Sequence, residues 1–240
     1  MSSVLVQPRR LPPTALRPFF WAHPEWWCVA ACALAWSIML VHAWQHAGHE
    51  MHHTGSFFQE TSYWICMTAA MMLPFNLESI RLTAARSLWL RRYRAITGFL
   101  IGYLGLWLAA GVLPAALREL PQTHTYMIPA CLFAFAAWWF TTRTHKRALV
   151  ACHRRLPLNP LGWHADRDCI RFGATIGFAC IWSCWPLMLA CMFTGHGLIA
   201  MTGGMAIGTL ERWSFRPRKR EIVAVTLALA GYYMVLAGLQ

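Results

Sequence analysis

Apolar residues in this sequence fall into long, nearly unbroken blocks. They do not alternate as in half-buried strands, nor form the narrow stripe of a surface helix. Seven blocks stand out: Trp26–Gln45, Thr61–Ile80, Ala95–Leu117, Tyr126–Thr142, Phe172–Phe193, Gly197–Leu210 and Ile222–Leu239. About 20 apolar residues let a helix cross a bilayer. The pattern therefore predicts an all-α, polytopic transmembrane helix bundle of about seven spans. Residues 26–240 form a single transmembrane helical domain behind a basic arm, residues 1–25. Two spans depart from the simple pattern. The second contains Pro74, which removes a backbone hydrogen bond and predicts a kink. The sixth is short and carries Gly203, Gly204 and Gly208, small residues that permit close helix packing or mark a broken span.

The polar positions between the blocks set the orientation. Arg9, Arg10 and Arg17 precede the first span. Arg81, Arg86, Arg91, Arg92 and Arg94 follow the second. Arg143, Lys146, Arg147, Arg154, Arg155, Arg167 and Arg171 separate the fourth from the fifth, and Arg212, Arg216, Arg218, Lys219 and Arg220 the sixth from the seventh. These alternate loops hold every Lys and Arg except Arg118. The positive-inside rule makes them cytoplasmic, with the N-terminus inside and the C-terminus outside. The chain is 58% hydrophobic and 12% charged, with a formal net charge of +12. Soluble domains are about 25% charged, so composition agrees with an integral membrane protein. A bacterial inner membrane is the expected location. The positive excess is then a topology signal, with membrane lipid headgroups as a contact. Nucleic acid is excluded as a partner, because no loop is long enough to form a binding module. The first block lacks a small-residue cleavage site and reads as an uncleaved anchor. Most of the nine cysteines lie inside apolar blocks, which argues against a disulfide framework.

Against this background one polar stretch is conspicuous. HAWQHAGHEMHH, residues 42–53, holds five of the eleven histidines. The topology places residues 46–60 outside. Met39, His42, His46, His49 and His53 follow each other at spacings of three and four, one face of a helix that continues past the membrane. Neutral imidazoles on one face suit Cu(II) or another divalent ion such as zinc. His42, His46, His49, His52 and His53 are therefore candidate metal ligands. The bland alternative is a polar helix exit ended by Gly48.

A second constellation lies within the membrane. YWICMTAAMMLPF offers Met67, Met71 and Met72, and CIWSCWPLMLACMF offers Cys180, Cys184, Met188 and Met192 at steps of four, with Cys191 nearby. HGLIAMTGGM adds His196, Met201 and Met205. A rise of about 1.5 Å per residue puts Met67, Met188 and Met201 roughly 6–9 Å below the outer surface, and Met71, Cys184 and Met205 roughly 12–15 Å. Thioether and thiolate donors select Cu(I), and thioethers bring no buried charge. Met67, Met71, Met72, Cys184, Met188, His196 and Met201 complete the candidate metal site. Methionine is also an ordinary filler of apolar cores, so packing is the competing reading. Cys28 and Cys32 read as small core residues, Glu60 as a hard ligand or helix-start charge, and Glu78 as a partner of Arg81 or the loop basics. Trp26, Trp27, Trp138 and Trp139 read as interfacial belt residues.

The stretch WICMTAAMMLP, Trp64 to Pro74, resembles the W-x-x-M-x-x-A-M-M-x-P signature of a bacterial domain-of-unknown-function family of predicted metal-binding integral membrane proteins, some labelled copper chaperones. Trp64, Met67, Ala70, Met71, Met72 and Pro74 fill its fixed positions. CIWSCWPLM, Cys180 to Met188, is similar to the family's second signature, and the likeness runs to about Glu211. The chain departs from the family between them. In place of a Cys-Leu-x-x-Cys element it has LVACHRRLP, with Leu149 at one cysteine position and Cys152–His153 at the other end. That element is left out of the expected ligand set, and it faces away from the histidines.

The expected function is a membrane metal-binding protein that captures copper at its outer face and handles or delivers it, with a periplasmic metallochaperone or cuproprotein as client. The alternative is a structural or assembly subunit of a larger complex, its sulfurs serving as packing. A haem protein ranks last, because the histidines fall in loops or at span ends. No enzyme is expected, because no nucleophile–base pair or phosphate loop is present.

Overall fold

A computed structural model of the chain describes residues 23–45, 57–118, 126–154, 156–159, 162–195, 197–212 and 219–239. Nine α-helices follow one another among them: α1 Trp26–Gln45, α2 Phe57–Met72, α3 Leu77–Arg86, α4 Arg92–Arg118, α5 Met127–Trp139, α6 Arg143–Cys152, α7 Gly162–Phe193, α8 Leu198–Arg212 and α9 Lys219–Gly238. No strand occurs among the described residues. Every expected span is helical. Four helices, α1, α4, α7 and α9, are long and apolar enough to cross a membrane, which is compatible with a membrane protein. The helices α2, α5 and α8 are shorter.

Two expected spans differ from what their apolar blocks suggest. The second is not one kinked helix. The α-helix stops at Met72, a 3-10 turn covers Pro74–Asn76, and α3 continues beyond it. The fifth begins at Gly162, ahead of the apolar block, because its polar first turns are held by ion pairs. Asp166 takes Arg91 at 2.6 Å and Arg94 at 2.7 Å.

Pro74 also explains how α1 is attached. Proline has no N–H, so the Ala70 carbonyl four residues earlier loses its helical donor. In an apolar interior a bare carbonyl is costly. Here it accepts from Trp36 Nε1 at 3.0 Å and from Cys32 Sγ at 3.3 Å, both on α1. Removing one donor by Trp36→Phe is expected to cost about 0.6–1.7 kcal/mol, the range of single interhelical bonds in membranes. Removing both, with Cys32→Ala added, leaves the carbonyl unpaired and is expected to cost about 2–3 kcal/mol. Unfolding of the purified protein in detergent measures both; a double variant as stable as wild type would contradict this role.

The most extensive helix pair is α4 with α7. Glycines make the crossing close. A Cβ on Gly102 would collide with the Ile170 carbonyl oxygen, and one on Gly173 with that of Phe99. Aromatic contacts join the neighbours: Phe133 stacks on Tyr233 between α5 and α9, and Trp139 meets Trp185 edge-on between α5 and α7.

Described parts of the basic segments, dispersed in sequence, meet at one end of the bundle. Arg81 bonds Glu25 at 2.5 Å, Arg86 donates to the Leu156 carbonyl, and Arg91 spans to Asp166. Glu25 is thus a partner of Arg81. Glu25 is buried, which by itself raises a carboxyl pKa. Its backbone hydrogen bond and Arg81 outweigh burial and hold it below the usual carboxylate value. Helix α6 lies at this same end. Thr142 caps it by accepting from His145 N–H, and it buries His145, Ala148 and Cys152, residues three and four apart on one face.

Candidate metal centre

Five helices and the turn after the first of them converge near the basic end. The end of α2 and the following turn bring Met72, Phe75 and Asn76, and α4 brings Tyr103. The last residue of α6 is Cys152. Cys180, Ser183 and Cys184 come from α7, and Arg212 is the last residue of α8. Met72, Asn76, Tyr103, Cys152, Cys180, Ser183 and Cys184 are all buried.

Cys180 is the hub. Its Sγ lies 3.7 Å from Met72 Sδ. The Tyr103 hydroxyl donates to it at 3.2 Å, and Arg212 donates at 3.2 Å. Cys152 shares Arg212 with it, and Cys184 is joined to its residue through Ser183. The ring of contacts closes around this sulfur. Asn76 Nδ2 donates to the Tyr103 oxygen at 2.9 Å and to the Met72 carbonyl at 2.8 Å. Ser183 Oγ donates to the Cys180 carbonyl at 2.9 Å and lies 3.3 Å from Cys184 Sγ and 3.9 Å from Cys152 Sγ. Arg212 also reaches Cys152 Sγ at 3.8 Å, with its guanidinium carbon 5.4 Å from the centre of the Phe75 ring. A cleft of about 110 Å³, lined by Glu78, Cys152, His153, Arg154 and Arg212 among others, opens on this cluster.

The donor set is soft throughout: three thiols and one thioether. Two sulfurs bound to one metal at about 2.3 Å stand about 3.7 Å apart when the bond angle is about 107°. That is the Cys180–Met72 separation. The side chains are not yet closed into a complete coordination sphere. Among the described residues no group of three or more His, Cys, Asp or Glu side chains is gathered tightly enough to hold a metal ion. Cys184 and Cys152 are instead turned toward Ser183 and Arg212.

The expected ligands divide between this cluster and a second sulfur set nearer the other end. Met67, Met71, Met188, Met192, Cys191 and Met201 are all buried in the same apolar core. Met71 packs at the level of Gly204, next to Met205 in α8. A Cβ on Gly204 would lie 2.7 Å from Met71 Cε and 3.3 Å from Cys191 Sγ, so Met71 meets α8 and Cys191. Met205 is only partly buried. The helix α2 begins at Phe57, four residues before the expected Thr61. Met71 and Met72 are about 100° apart around α2, and so face different sulfur sets. His42 is half-buried at the end of α1, its ring 4.5 Å from that of Tyr63. His46, His49, His52, His53 and His196 lie outside the described residues. Glu60 is buried in the first turn of α2. Cys28 is a core residue, and all nine cysteines are free.

Cys180, Cys152, Tyr103 and Arg212 were not among the expected ligands. Two signals pointed to them. Cys180 heads the four-residue sulfur series of α7, and Cys152 stands in the element where the family pattern has cysteine. Tyr103 and Arg212 had no local signal, because their roles come from helix packing.

No curated protein and no solved structure matches the chain. The model of a family described as PpoB2, copper chaperone, matches residues 61–236, and the chain belongs to that family.

Proposed function

We propose that this protein is a membrane copper chaperone that carries Cu(I) on the buried sulfurs around Cys180. The observation that supports it best is the 3.7 Å approach of Cys180 Sγ to Met72 Sδ within a buried, sulfur-rich cluster. Copper is the cargo. Cys180 and Met72 supply the first two donors, and a side-chain rotation of Cys184 or Cys152 supplies a third. Cu(I) held by two thiolates carries one net negative charge, and the Arg212 guanidinium balances it without leaving its position. Buried charge is tolerated when paired in this way.

The histidine-rich segment captures copper at the outer, periplasmic face of an inner membrane. The thioethers Met67, Met71, Met188 and Met201 lie between that face and the cluster. The cleft at Cys152 gives the cluster an opening on the basic end. A soluble metallochaperone or a copper enzyme is the client.

The test is a Cu(I) titration of the purified protein in detergent against a competing chelator, under reducing conditions, followed by copper X-ray absorption. One tightly held Cu(I) per chain with sulfur-only coordination is expected. Nitrogen or oxygen ligands in the tight site would overturn the assignment to Cys180. No bound copper under either reducing or oxidising conditions would favour a structural or assembly subunit.

A further inference from the structure

A second cleft at the basic end, of about 280 Å³, is separate from the sulfur cluster. It lies between the end of α5, helix α6, the end of α8 and the start of α9. Phe140, Leu149, Val150 and Ile222 make its walls apolar. His145 and Glu211 close the floor, both buried, with Nε2 and Oε1 3.0 Å apart. The Glu211 carboxylate is thereby turned onto the imidazole. Phe140 packs edge-on against the same imidazole at 5.0 Å.

Lys146 and Lys219 stand at the rim. Both are exposed and both line this one cleft. Among the described residues neither has a carboxylate partner. Two ammonium groups at the mouth of one cleft give it a positive potential that favours an anion. Lys219 also occupies the first turn of the 20-residue helix α9, where the helix dipole is positive and disfavours a cation. An anion at this point is favoured by the lysines and by the helix end together.

We infer that this cleft is a binding site for an anionic phospholipid, its phosphate between Lys146 and Lys219 and the start of one acyl chain along Phe140, Leu149, Val150 and Ile222. The apolar walls are what a free phosphate or a nucleotide would not use. Val150 is 69% exposed, so the wall is open sideways, as a chain entering from a surrounding leaflet requires.

The test uses the full-length protein in a neutral detergent, with native mass spectrometry to count bound lipid. Wild type is expected to retain phosphatidylglycerol at least about tenfold more strongly than phosphatidylcholine of the same chains. Lys146→Gln with Lys219→Gln is expected to abolish that preference and leave the helical circular dichroism unchanged. Val150→Trp, which fills the wall and keeps both lysines, is expected to weaken phosphatidylglycerol as well. Equal retention of the two lipids by wild type, or an unchanged preference in the double-glutamine variant, would overturn the proposal. So would competition by glycerol 3-phosphate at the same concentration as the lipid, since a headgroup alone would then suffice. None of these readouts involves copper, so they are independent of the proposed chaperone role.

Discussion

Replacing Cys180 by Ser is expected to lower Cu(I) retention at least about 100-fold while leaving the bundle folded. Removing a group that merely orients a metal ligand costs about 10–100-fold in affinity, and removing a donor costs more. Serine keeps nearly the same volume, and its hydroxyl still accepts from Tyr103 and Arg212, which bond the sulfur at 3.2 Å in the native protein. What disappears is the soft donor that selects Cu(I). Met72→Leu is expected to act in the same direction, with a stability cost within about 1.5 kcal/mol because volume and apolarity are conserved. Tyr103→Phe removes only the hydroxyl that fixes Cys180, so a loss of about 10–100-fold is expected. Met67→Leu with Met188→Leu separates the two sulfur sets. If that pair loses Cu(I) while Cys180→Ser keeps it, retention resides in the thioethers nearer the histidine end, and the cluster at Cys180 is packing.

Gly173→Leu is expected to abolish folding. Its Cβ position is already occupied by the Phe99 carbonyl oxygen, with the carbonyl carbon 2.8 Å away. Backbone atoms in a helix cannot step aside as a flexible side chain can. Overpacking a core typically costs about 1–3 kcal/mol and occasionally more; with backbone on both sides, even Gly173→Ala is expected to reach about 3 kcal/mol, as is Gly102→Ala. The contrast is Gly105, on the same helix as Gly102, where an added Cβ meets nothing within 4 Å. Gly105→Ala is expected to be neutral or to stabilise by up to about 1 kcal/mol through helix propensity. Membrane-inserted yield and thermal unfolding in detergent compare the three alanine variants. Equal behaviour of Gly173→Ala and Gly105→Ala would show that the α4–α7 crossing is not held by close backbone contact.

The helical architecture was legible because it depends on local composition. Apolar blocks long enough for a bilayer predict helices, and Pro74 predicts the interruption. The close crossing was not among the expectations, although GFLIG at 98–102 and GATIG at 173–177 mark it locally. Small residues four apart mark such contacts, although the spacing alone does not say which two helices meet. The sulfur cluster was only half legible. Met72 and Cys184 carry their chemistry in the residue type. Cys152 was set aside because Leu149 stands at the other cysteine position of its element, which faces away from the histidines. Amphipathic α6 nonetheless buries the face that carries His145, Ala148 and Cys152. Arg212 sits at the end of its helix and looked like one more loop cation. Its contacts with Cys180, Cys152 and Phe75 arise from three separate elements, and no local pattern encodes them.

The carbonyl of Ala70 gives the family boundary a different meaning. The family model begins at residue 61, and α1 lies wholly before it. Yet the donors that satisfy Ala70, a position of the signature stretch, are Trp36 and Cys32 on α1. A helix outside the shared region thus completes a bond that a proline inside it has opened. A chain shortened to the shared region would therefore keep every signature residue and still carry an open acceptor on the face of α2 next to Met71. Relatives that begin at this boundary would need another donor at that spot, from a different helix, a second copy or a lipid. In this chain, removing α1 is therefore expected to destabilise α2 at the level of Ala70 even though every signature residue is kept.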